Sequence, residues 1–545
     1  MSEAEHICFV ADQSAPKMLS LPERILQRPD LALVGTGSLS CIRALYLEAA
    51  RLGKTHQFFP CLQTAESYAT GENGAQLGTF LNEVLKTPGL GGILVYASCA
   101  DILSQTDFES IFQGLDNPRK IPVRALLRGP MVKRWQMPGP VLAKILAEIP
   151  ETGTKIPEKT RFFPPPAPDF HFVSSALQNM DALPFLLTAG GCGGALEAAG
   201  TPKDCYRLSH TRFNDLQLTM GAESLAAQAL AADFAAQSAG EKRSAAALLG
   251  SAVPAFMGMD REQVLRESGV PGFDLGCNGF TPGAPGLSRA LVGLTQQVLS
   301  PTAAVESGLI EVLGYCGAIL GKAEKLAHGF EHLQRRGFTA RFWGWDGFRR
   351  NTVAQLNWVV SSAGLAQAEW EKKKYGVPYI AGIPFGPKQM LRWRAQMNAA
   401  MGRTDEVLPA KAAPEEQLLA GKRVLLIGEP LLTRGMGEYL EDSLGCQEAV
   451  LGVYAPTPAQ KRFFGGLGLP LRCFDSVAAL GELAENADLI IGDPAFDLGN
   501  RPFLPLPDPA VSGDRHLEEP YSIFGRKGSA WLVKNIKNQY KGEIT

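Results

Sequence analysis

Three features that would assign this chain to a simple function class are missing from its sequence. The 53 basic and 55 acidic side chains leave a net charge of −2, so the composition offers no excess of positive charge to bind nucleic acid or an anionic membrane. Apolar runs stay well short of the roughly 18–20 residues that a membrane-spanning helix needs. The first residues, MSEAEHICFVADQS, lack the basic and then apolar pattern of a signal peptide. We therefore expect a cytoplasmic protein that binds neither nucleic acid nor membrane.

Closely paired cysteines are also missing. None of the ten cysteines forms a CxxC motif. Zinc sites are usually built from cysteines two to four residues apart, and dithiol redox centres use CxxC, so the spacing disfavours both. In a reducing compartment, thiols or metal ligands are expected rather than disulfides.

What the sequence does contain is a series of short apolar runs, most of them followed by a glycine-bearing turn and a helix-like stretch. Strands that alternate with helices predict parallel sheets with helices on both faces. We therefore predict an α/β protein made of several Rossmann-like, doubly wound domains. The runs are LALVGTG (31–37), GGILVYAS (91–98), PFLLTAG (184–190), AAALLGSAV (245–253), LIEVLGY (309–315), LNWVVSS (356–362), RVLLIGE (423–429) and ADLIIGD (487–493).

The length of 545 residues requires more than one hydrophobic core. Two stretches predict linkers: TGTKIPEKTRFFPPPAPDF (152–170), whose proline run cannot join a packed sheet, and GRTDEVLPAKAAPEEQ (402–417). The predicted division is an α/β domain at 1–150, a linker at 151–180, an α/β domain at 181–300, a second Rossmann-like domain at 301–401, a linker at 402–417, and a third Rossmann-like domain with a C-terminal segment at 418–545.

The first α/β domain is repeated within the chain. The segment at 93–111 aligns without gaps with 246–264 and places Cys99 opposite Ala252. In the same order, 35–45 matches 187–197 with Cys41 opposite Cys192, and 60–77 resembles 209–225 with Cys61 opposite His210. Chance similarity between two α/β units is the alternative. Agreement at three separated segments favours duplication, and we call residues 1–150 copy 1 and residues 181–300 copy 2.

Three cysteines of copy 1, Cys41, Cys61 and Cys99, lie at or just after the ends of predicted strands. Because the carboxyl ends of parallel strands meet at one edge of a sheet, the three thiols can come together there. Three thiolates suit an iron–sulfur cluster, which needs soft ligands. Spacing alone leaves two alternatives open: a shared cluster, or three cysteines packed in the core.

Several motifs from copy 2 onward carry a resemblance to a known family. They are LTAGGCGGAL (187–196), GCNGF (276–280), YGVPY (375–379), the two strands RVLLIGE and ADLIIGD, and PYSIFGRKGSAWLVKNI (520–536). In these segments the chain resembles the nitrogenase component 1 proteins and their relatives. The resemblance covers residues 184–535, and copy 1, which lies before them, resembles an additional copy of the family's first domain.

The departures from the family pattern are informative. Copy 2 has Ala252 in place of the third cluster cysteine and His210 where a cysteine would stand, so we do not expect it to hold a cluster alone. Copy 1 keeps all three cysteines. Within residues 357–362, where catalytic nitrogenase subunits carry a cysteine for the iron–molybdenum cofactor, this chain has two valines followed by Ser361 and Ser362. This absence argues against dinitrogen reduction.

The resemblance implies an oxidoreductase: the component 1 subunit of a nitrogenase-like, two-component reductase. A separate ATP-dependent iron protein would deliver low-potential electrons through an iron–sulfur cluster, expected to be of the 4Fe–4S type, on Cys41, Cys61 and Cys99. The substrate and the catalytic residues are not assigned. A sister component 1 subunit or a homodimer is the expected partner, because the family pairs two chains with the cluster near their interface. The alternatives are a non-catalytic scaffold or carrier for metallocluster assembly, and a silent partner subunit.

The family's pairing also predicts that copies 1 and 2 dock on each other inside one chain. Docking would bring Cys192 toward Cys41 as a fourth ligand. The alternative is that Cys192 is packed under its own glycine turn, with another subunit or water completing the site.

The remaining polar and thiol candidates have simpler interpretations. Asp107 and Asp260 are predicted to cap the helices that follow them. His328 and His332, four residues apart, are predicted to lie on a solvated helix face among lysines and arginines. Packing is predicted for five other cysteines: Cys8, Cys277, Cys316, Cys446 and Cys473.

Overall fold

The computed structural model describes residues 20–127, 138–159, 162–190, 208–237, 243–348, 350–403, 417–466, 470–506, 508, 511 and 522–539. In this part of the chain the strands form four sheets, and all strand pairs within the sheets are parallel. The α/β class with several doubly wound sheets is therefore confirmed. The chain divides into two compact units, Met1–Ser174 with Ala182–Gly283, and Ser175–Asp181 with Ala284–Thr545. No helix in the described ranges is both long and apolar enough to span a membrane.

The first sheet, in copy 1, has the order β2-β1-β3-β4. Its strands are β1 (Leu31–Gly37), β2 (Phe58–Leu62), β3 (Gly92–Ala97) and β4 (Val123–Leu127). All seven residues of β1 are buried, as expected for a central parallel strand covered on both faces. The helices around it are α1 (Leu21–Leu26), α2 (Leu39–Arg51), α3 (Ala65–Thr70), α4 (Asn73–Leu85), α5 (Cys99–Leu103), α6 (Phe108–Gln113) and α7 (Pro138–Ala147).

The second sheet, in copy 2, has the equivalent order β6-β5-β7-β8. Its strands are β5 (Ala182–Leu187), β6 (Ser209–His210), β7 (Ala245–Gly250) and β8 (Gly272–Asp274). Helix α8 (Asp169–Leu177) precedes this sheet and lies within the predicted linker. The helices of copy 2 are α9 (Asp215–Met220), α10 (Glu223–Ala235), α11 (Ala252–Phe256) and α12 (Arg261–Ser268).

Individual helices of the two copies correspond closely. Helices α3 and α9 have 6 residues each, begin with a capping box and end at a glycine. Helices α4 and α10 have 13 residues each, and α5 and α11 have 5 each. The two copies therefore share their strand order and several helix lengths, in keeping with the repeat in the sequence.

The second unit contains two further parallel sheets, ordered β10-β9-β11-β12 and β15-β14-β13-β16-β17. The strands are β9 (Leu299–Leu313), β10 (Thr339–Phe342), β11 (Arg350–Val359), β12 (Tyr379–Ala381), β13 (Arg423–Ile427), β14 (Glu448–Tyr454), β15 (Leu471–Phe474), β16 (Leu489–Gly492) and β17 (Phe503–Pro505). The helices are α13 (Gly283–Val298), α14 (Gly317–Leu320), α15 (Ala327–Arg335), α16 (Leu365–Tyr375), α17 (Gly386–Ala400), α18 (Pro430–Leu444), α19 (Pro458–Gly466), α20 (Val477–Leu483) and α21 (Gly525–Gln539).

Each sheet has one point at which the strand order reverses. These points lie between β1 and β3, β5 and β7, β9 and β11, and β13 and β16. In open α/β sheets the crevice for ligands forms outside the carboxyl ends of the strands at such a point. We therefore expect a functional site in the loops that follow these strands.

Residues 152–159 of the predicted linker at 151–180, together with Phe162, pack along copy 1. The backbone N–H of Ile156 donates to the carbonyl of Pro29 at 2.9 Å, and the side chain of Ile156 is buried. The Tyr46 hydroxyl donates to the carbonyl of Phe162 at 3.2 Å. This segment is therefore held by copy 1 and does not extend freely into solvent.

Candidate metal centre

The backbone of copy 1 places the three predicted cysteines around the reversal point of the first sheet. Cys61 lies in β2, directly beside Thr36 of β1 in the strand register. Thr36 is also the neighbour of Ala97 in β3, and Cys99 follows two residues later as the first residue of α5. Cys41 is the third residue of α2, which begins just after β1. The three residues thus lie at the ends of three adjacent strands, as the sequence predicted.

Two of these thiols are well buried. Cys61 and Cys99 are each 5% exposed, and Cys41 is half-buried. The Nε2 group of Gln63 donates to Cys61 Sγ at 3.6 Å. Burial, and secondarily the charge of Asp101, raises the pKa of the Cys61 thiol to about 12. The thiol is therefore protonated at neutral pH in the absence of a metal, and a metal that binds it must displace the proton.

A buried carboxylate organises the loop after β3. Asp101 accepts hydrogen bonds from the Ser98 backbone N–H at 2.8 Å, the Ser98 hydroxyl at 2.7 Å and the Tyr68 hydroxyl at 2.8 Å. Burial raises the pKa of Asp101 and also that of Tyr68. Ser98 and Asp101 form the capping box of α5, which explains why the helix begins directly at Cys99.

The two loops that flank the reversal point touch each other at Gly37. Its φ is +142°, and a Cβ atom there would lie 2.4 Å from both Cβ and Oγ of Ser98. Only glycine permits this approach. The segments that lead to Cys41 and Cys99 are therefore held against each other by packing of the Gly37 backbone on the Ser98 side chain.

Copy 2 covers this edge of copy 1. The N–H of Ser40 donates to the Gly279 carbonyl at 3.1 Å. The ring of Tyr68 makes edge-on contacts with Phe256 at 5.7 Å and Phe280 at 6.1 Å between ring centroids. Helices α5 and α11, which occupy equivalent places in the two copies, contact each other. The predicted docking of the two copies inside one chain is therefore confirmed.

Cys99 lies on this docking surface. It belongs to an apolar cluster whose other buried members are copy 2 residues, among them Phe185, Leu187 and Val253. Cys192, the predicted fourth ligand, lies outside the described residues, so its role stays a prediction.

The donor set suits an iron–sulfur cluster better than a single metal ion. Among the described residues, no group of three or more His, Cys, Asp or Glu side chains could hold one metal ion. A multi-iron cluster binds each thiolate to a different iron, so its ligands stand further apart than those of one ion. Soft thiols at a dry, backbone-rich edge are the ligands such clusters use. In their chemistry and position Cys41, Cys61 and Cys99 therefore fit this group, and their role as ligands stays a prediction.

The equivalent edge of copy 2 lacks such donors at two positions. Ala252 is the first residue of α11, where α5 has Cys99. His210 is buried in β6, with its Nδ1 atom 3.0 Å from the Thr211 carbonyl oxygen. That copy 2 holds no cluster alone stays a prediction.

The loop after β11, where catalytic nitrogenase subunits would carry a cysteine, is occupied by hydrogen bonds of the chain itself. The Ser361 hydroxyl donates to the Gly314 carbonyl at 2.5 Å, and the Ser362 N–H donates to the Glu429 carboxylate at 2.5 Å. A Cβ atom on Gly314 would lie 2.6 Å from the Gly364 nitrogen. With serine hydroxyls, no soft donor and tight backbone contacts, the residues at this loop do not fit a thiolate-bound cofactor.

Most of the simpler interpretations hold. Asp107 accepts the Ser110 N–H at 3.0 Å and Asp260 accepts the Gln263 N–H at 2.9 Å, which confirms both caps. Among the other cysteines, packing is confirmed for Cys277, Cys316 and Cys446, and Cys8 lies outside the described residues.

Two of these interpretations are wrong. Cys473 is exposed because β15 is the edge strand of its sheet. The histidine face of α15 is half-buried instead of solvated, since the ring of His332 packs 6.0 Å from that of Trp393. Burial, followed by three nearby arginines, lowers the pKa of His332 to about 4.

The sequence did not predict the residues that contact the cysteine-bearing segments from distant parts of the chain. Tyr68 and Gly279 carry no local motif that points to the cysteines, because their contacts join segments far apart in the chain. The spacing of Ser98 and Asp101 was the one available signal, since serine followed three residues later by an acidic residue is typical of a helix start.

More than half of the chain matches one known protein family. Residues 174–497 match the sequence profile described as nitrogenase component 1 type oxidoreductase, and copy 1 lies before this match. One similar protein is a subunit of the light-independent protochlorophyllide reductase of Prosthecochloris aestuarii (strain DSM 271 / SK 413), 25% identical over 334 residues. The alignment covers 53% of this chain and 62% of that protein, so the chain spans less than two thirds of the relative's length.

Two solved structures share the fold. The structure titled "Nitrogenase Cp1 at pH 6.5" gives a TM-score of 0.55 at 16% identity and covers 70% of this chain and 94% of that chain. The structure titled "Nitrogenase Cp1 at pH 5" gives a TM-score of 0.50 at 16% identity, and the alignment covers 70% of this chain and 90% of that chain. At this identity the likeness concerns the fold alone.

Proposed function

Because the chain belongs to the nitrogenase component 1 type oxidoreductase family, we propose that it is the component 1 subunit of a two-component reductase. It receives low-potential electrons from an ATP-dependent iron protein and passes them to a substrate that is not yet identified. A sister component 1 subunit or a second copy of the chain is its further partner. The family match and the similarity to one chain of a named reductase support this proposal.

The observation that carries the proposal is the position of Cys41, Cys61 and Cys99 at three adjacent strand ends. These residues hold an iron–sulfur cluster, of the 4Fe–4S type, and such a cluster supplies one-electron transfer at low potential. Gln63 donates to the Cys61 sulfur, and hydrogen bonds to thiolate sulfurs tune the potential of such centres. The apolar surface of copy 2 keeps water away from Cys99.

Anaerobic purification with iron and sulfide analysis tests the cluster. Replacing Cys99 with Ala is expected to remove the iron and the visible absorbance while the chain stays folded, because one of three thiolates is lost. Cys446→Ala is the matched control, since Cys446 is also buried but lies in the second unit. Iron content equal to wild type in the Cys99 variant would contradict the assignment.

A cluster carrier without turnover is the second candidate. It is favoured by one observation, the loop after β11, where Ser362 and Glu429 bind each other and no soft donor is present. Adding an iron protein and ATP separates the two functions: a reductase oxidises the iron protein in an ATP-dependent manner, whereas a carrier transfers its iron to an apo-protein without ATP.

A further inference from the structure

A short segment of copy 2, residues 278–281, lies directly over the cysteine edge of copy 1. The Gly279 carbonyl accepts the N–H of Ser40, the residue before Cys41, at 3.1 Å. The ring of Phe280 contacts that of Tyr68, whose hydroxyl donates to the buried Asp101. This segment therefore joins the start of α2 to the loop after β3.

Gly279 fits between the helix starts of both copies. Its φ is +70°, and a Cβ atom there would lie 3.0 Å from the Ala252 nitrogen and 3.1 Å from Ser40 Oγ. Ala252 begins α11 in copy 2, and Ser40 lies in the first turn of α2 in copy 1. The segment leaves no space for another chain at this point of contact.

One carboxylate holds the segment in place. Asp169 is fully buried, and its two oxygens accept the backbone N–H groups of Asn278 and Gly279 at 2.9 Å each. The Asp169 N–H donates to the Thr281 carbonyl at 2.8 Å. Hydrogen bonds to an ionised carboxylate are among the strongest in proteins. Asp169 therefore fixes the backbone that presents Gly279 to Ser40.

We propose that Asp169 is a positioning residue that keeps segment 278–281 closed over Cys41, Cys61 and Cys99, so that a single chain encloses its own cluster. The inference rests on the proposed cluster on these cysteines. Copy 2 of the same chain covers the cysteine edge of copy 1. Cluster retention is therefore independent of the oligomeric state.

The first experiment tests whether the monomer retains iron and sulfide. Wild-type protein is purified anaerobically and diluted from micromolar to nanomolar concentration, and its mass, iron and sulfide are measured at each step. We expect the iron and sulfide per chain to stay constant in fractions of monomer mass. Iron found only in dimer fractions, or lost on dilution together with dissociation, would overturn the inference and leave the proposed function standing.

The second experiment weakens the contacts that hold segment 278–281 against copy 1. Asp169→Asn keeps the size of the side chain and removes the charge, and Phe280→Leu removes the ring from Tyr68 without touching Asp169. Both variants are expected to lose the cluster absorbance in air roughly tenfold faster than wild type, because weakening a charge-assisted bond or the ring contact favours the open segment by about that factor. The EPR spectrum of the reduced cluster should also shift, which a change in global stability alone would not produce.

The matched control is Asp260→Asn. Asp260 accepts a backbone N–H in the same way but caps α12 on the surface of copy 2. It should bleach at the wild-type rate. Wild-type bleaching rates in both the Asp169 and Phe280 variants overturn the inference. Absence of iron in wild-type protein overturns both the inference and the proposed function.

Discussion

The carboxyl group of Glu371 offers a quantitative test of the packing in the second unit. It lies on α16 and is 1% exposed. It accepts hydrogen bonds from Asn357 Nδ2 at 2.7 Å and Gln367 Nε2 at 3.1 Å. Burial, and secondarily the charge of Glu311, raises its pKa from the ordinary value of 4.5 to about 7. Glu311 is itself paired with Arg341 at 3.0 Å, which leaves Glu371 with neutral partners among the described residues.

The change Glu371→Gln should stabilise the protein at alkaline pH. Between pH 4.5 and 7 the unfolded chain releases the proton before the folded one, so folding becomes less favourable as the pH rises through this window. A shift of about 2.5 units corresponds to about 3 kcal/mol at 1.36 kcal/mol per unit. Glutamine cannot ionise and avoids this cost. Its new N–H group can donate to Asn357 Oδ1, which has no hydrogen-bond partner in the described part of the chain.

The assay is urea unfolding followed by tryptophan fluorescence at several pH values from 5 to 8. The variant should gain about 1 kcal/mol in unfolding free energy at pH 5 and about 3 kcal/mol at pH 8. The tryptophans among the described residues all report on the second unit: Trp343, Trp345, Trp358, Trp370, Trp393 and Trp531. Glu331→Gln, at an exposed position of α15, is the control and should change little. A gain that is equal at pH 5 and pH 8, or a loss of stability at pH 8, would refute the reasoning.

Two further predictions concern the loops at the strand reversal points of the second unit. Gly314→Ala should cost more than about 2 kcal/mol, because the new Cβ would lie 2.6 Å from the Gly364 nitrogen at a φ of +78°. Gly376→Ala, at a φ of +75° but with no atom within 4 Å of the added Cβ, should cost only about 1 kcal/mol, and equal losses in urea unfolding would contradict this contrast. Glu429→Ala leaves the Ser362 N–H without its acceptor and should lower the unfolding free energy by about 1–3 kcal/mol. Formate, but not chloride at the same ionic strength, should restore part of the lost thermal stability, and an equal effect of the two salts would contradict the role of the carboxylate.

The buried strands were predictable because they carry a continuous apolar run. LALVGTG predicts a strand over 31–37, and β1 has these bounds, since a central parallel strand is apolar on both faces. The long strands β9 and β11 were only partly predictable. Most of the first ten residues of β9 are exposed, Val305 at 53% among them, although this part of the strand pairs with β11. Where no face is buried, the sequence has no apolar pattern that indicates a strand.

The candidate site, like the strands, was predictable only in part. The rule that ligands lie at the carboxyl ends of strands was sufficient to group Cys41, Cys61 and Cys99. The residues that enclose them were not predictable, because Asp169 contacts a segment more than a hundred positions away in the chain. Such contacts form when the two copies dock. Residues that meet in this way are far apart in the chain, so no local sequence pattern indicates them.

The two copies differ at corresponding positions in a coordinated way. Copy 1 has Tyr68 as the fourth residue of α3, and copy 2 has Leu218 at the fourth position of α9. Likewise, the first and third residues of α5 are Cys99 and Asp101, whereas those of α11 are alanine and proline. Copy 2 therefore has neither the thiol nor the tyrosine–aspartate pair at these positions, and its apolar side chains surround Cys99. With alanine, proline and leucine at these positions, copy 2 presents an apolar surface that packs against Cys99 and covers this edge of copy 1.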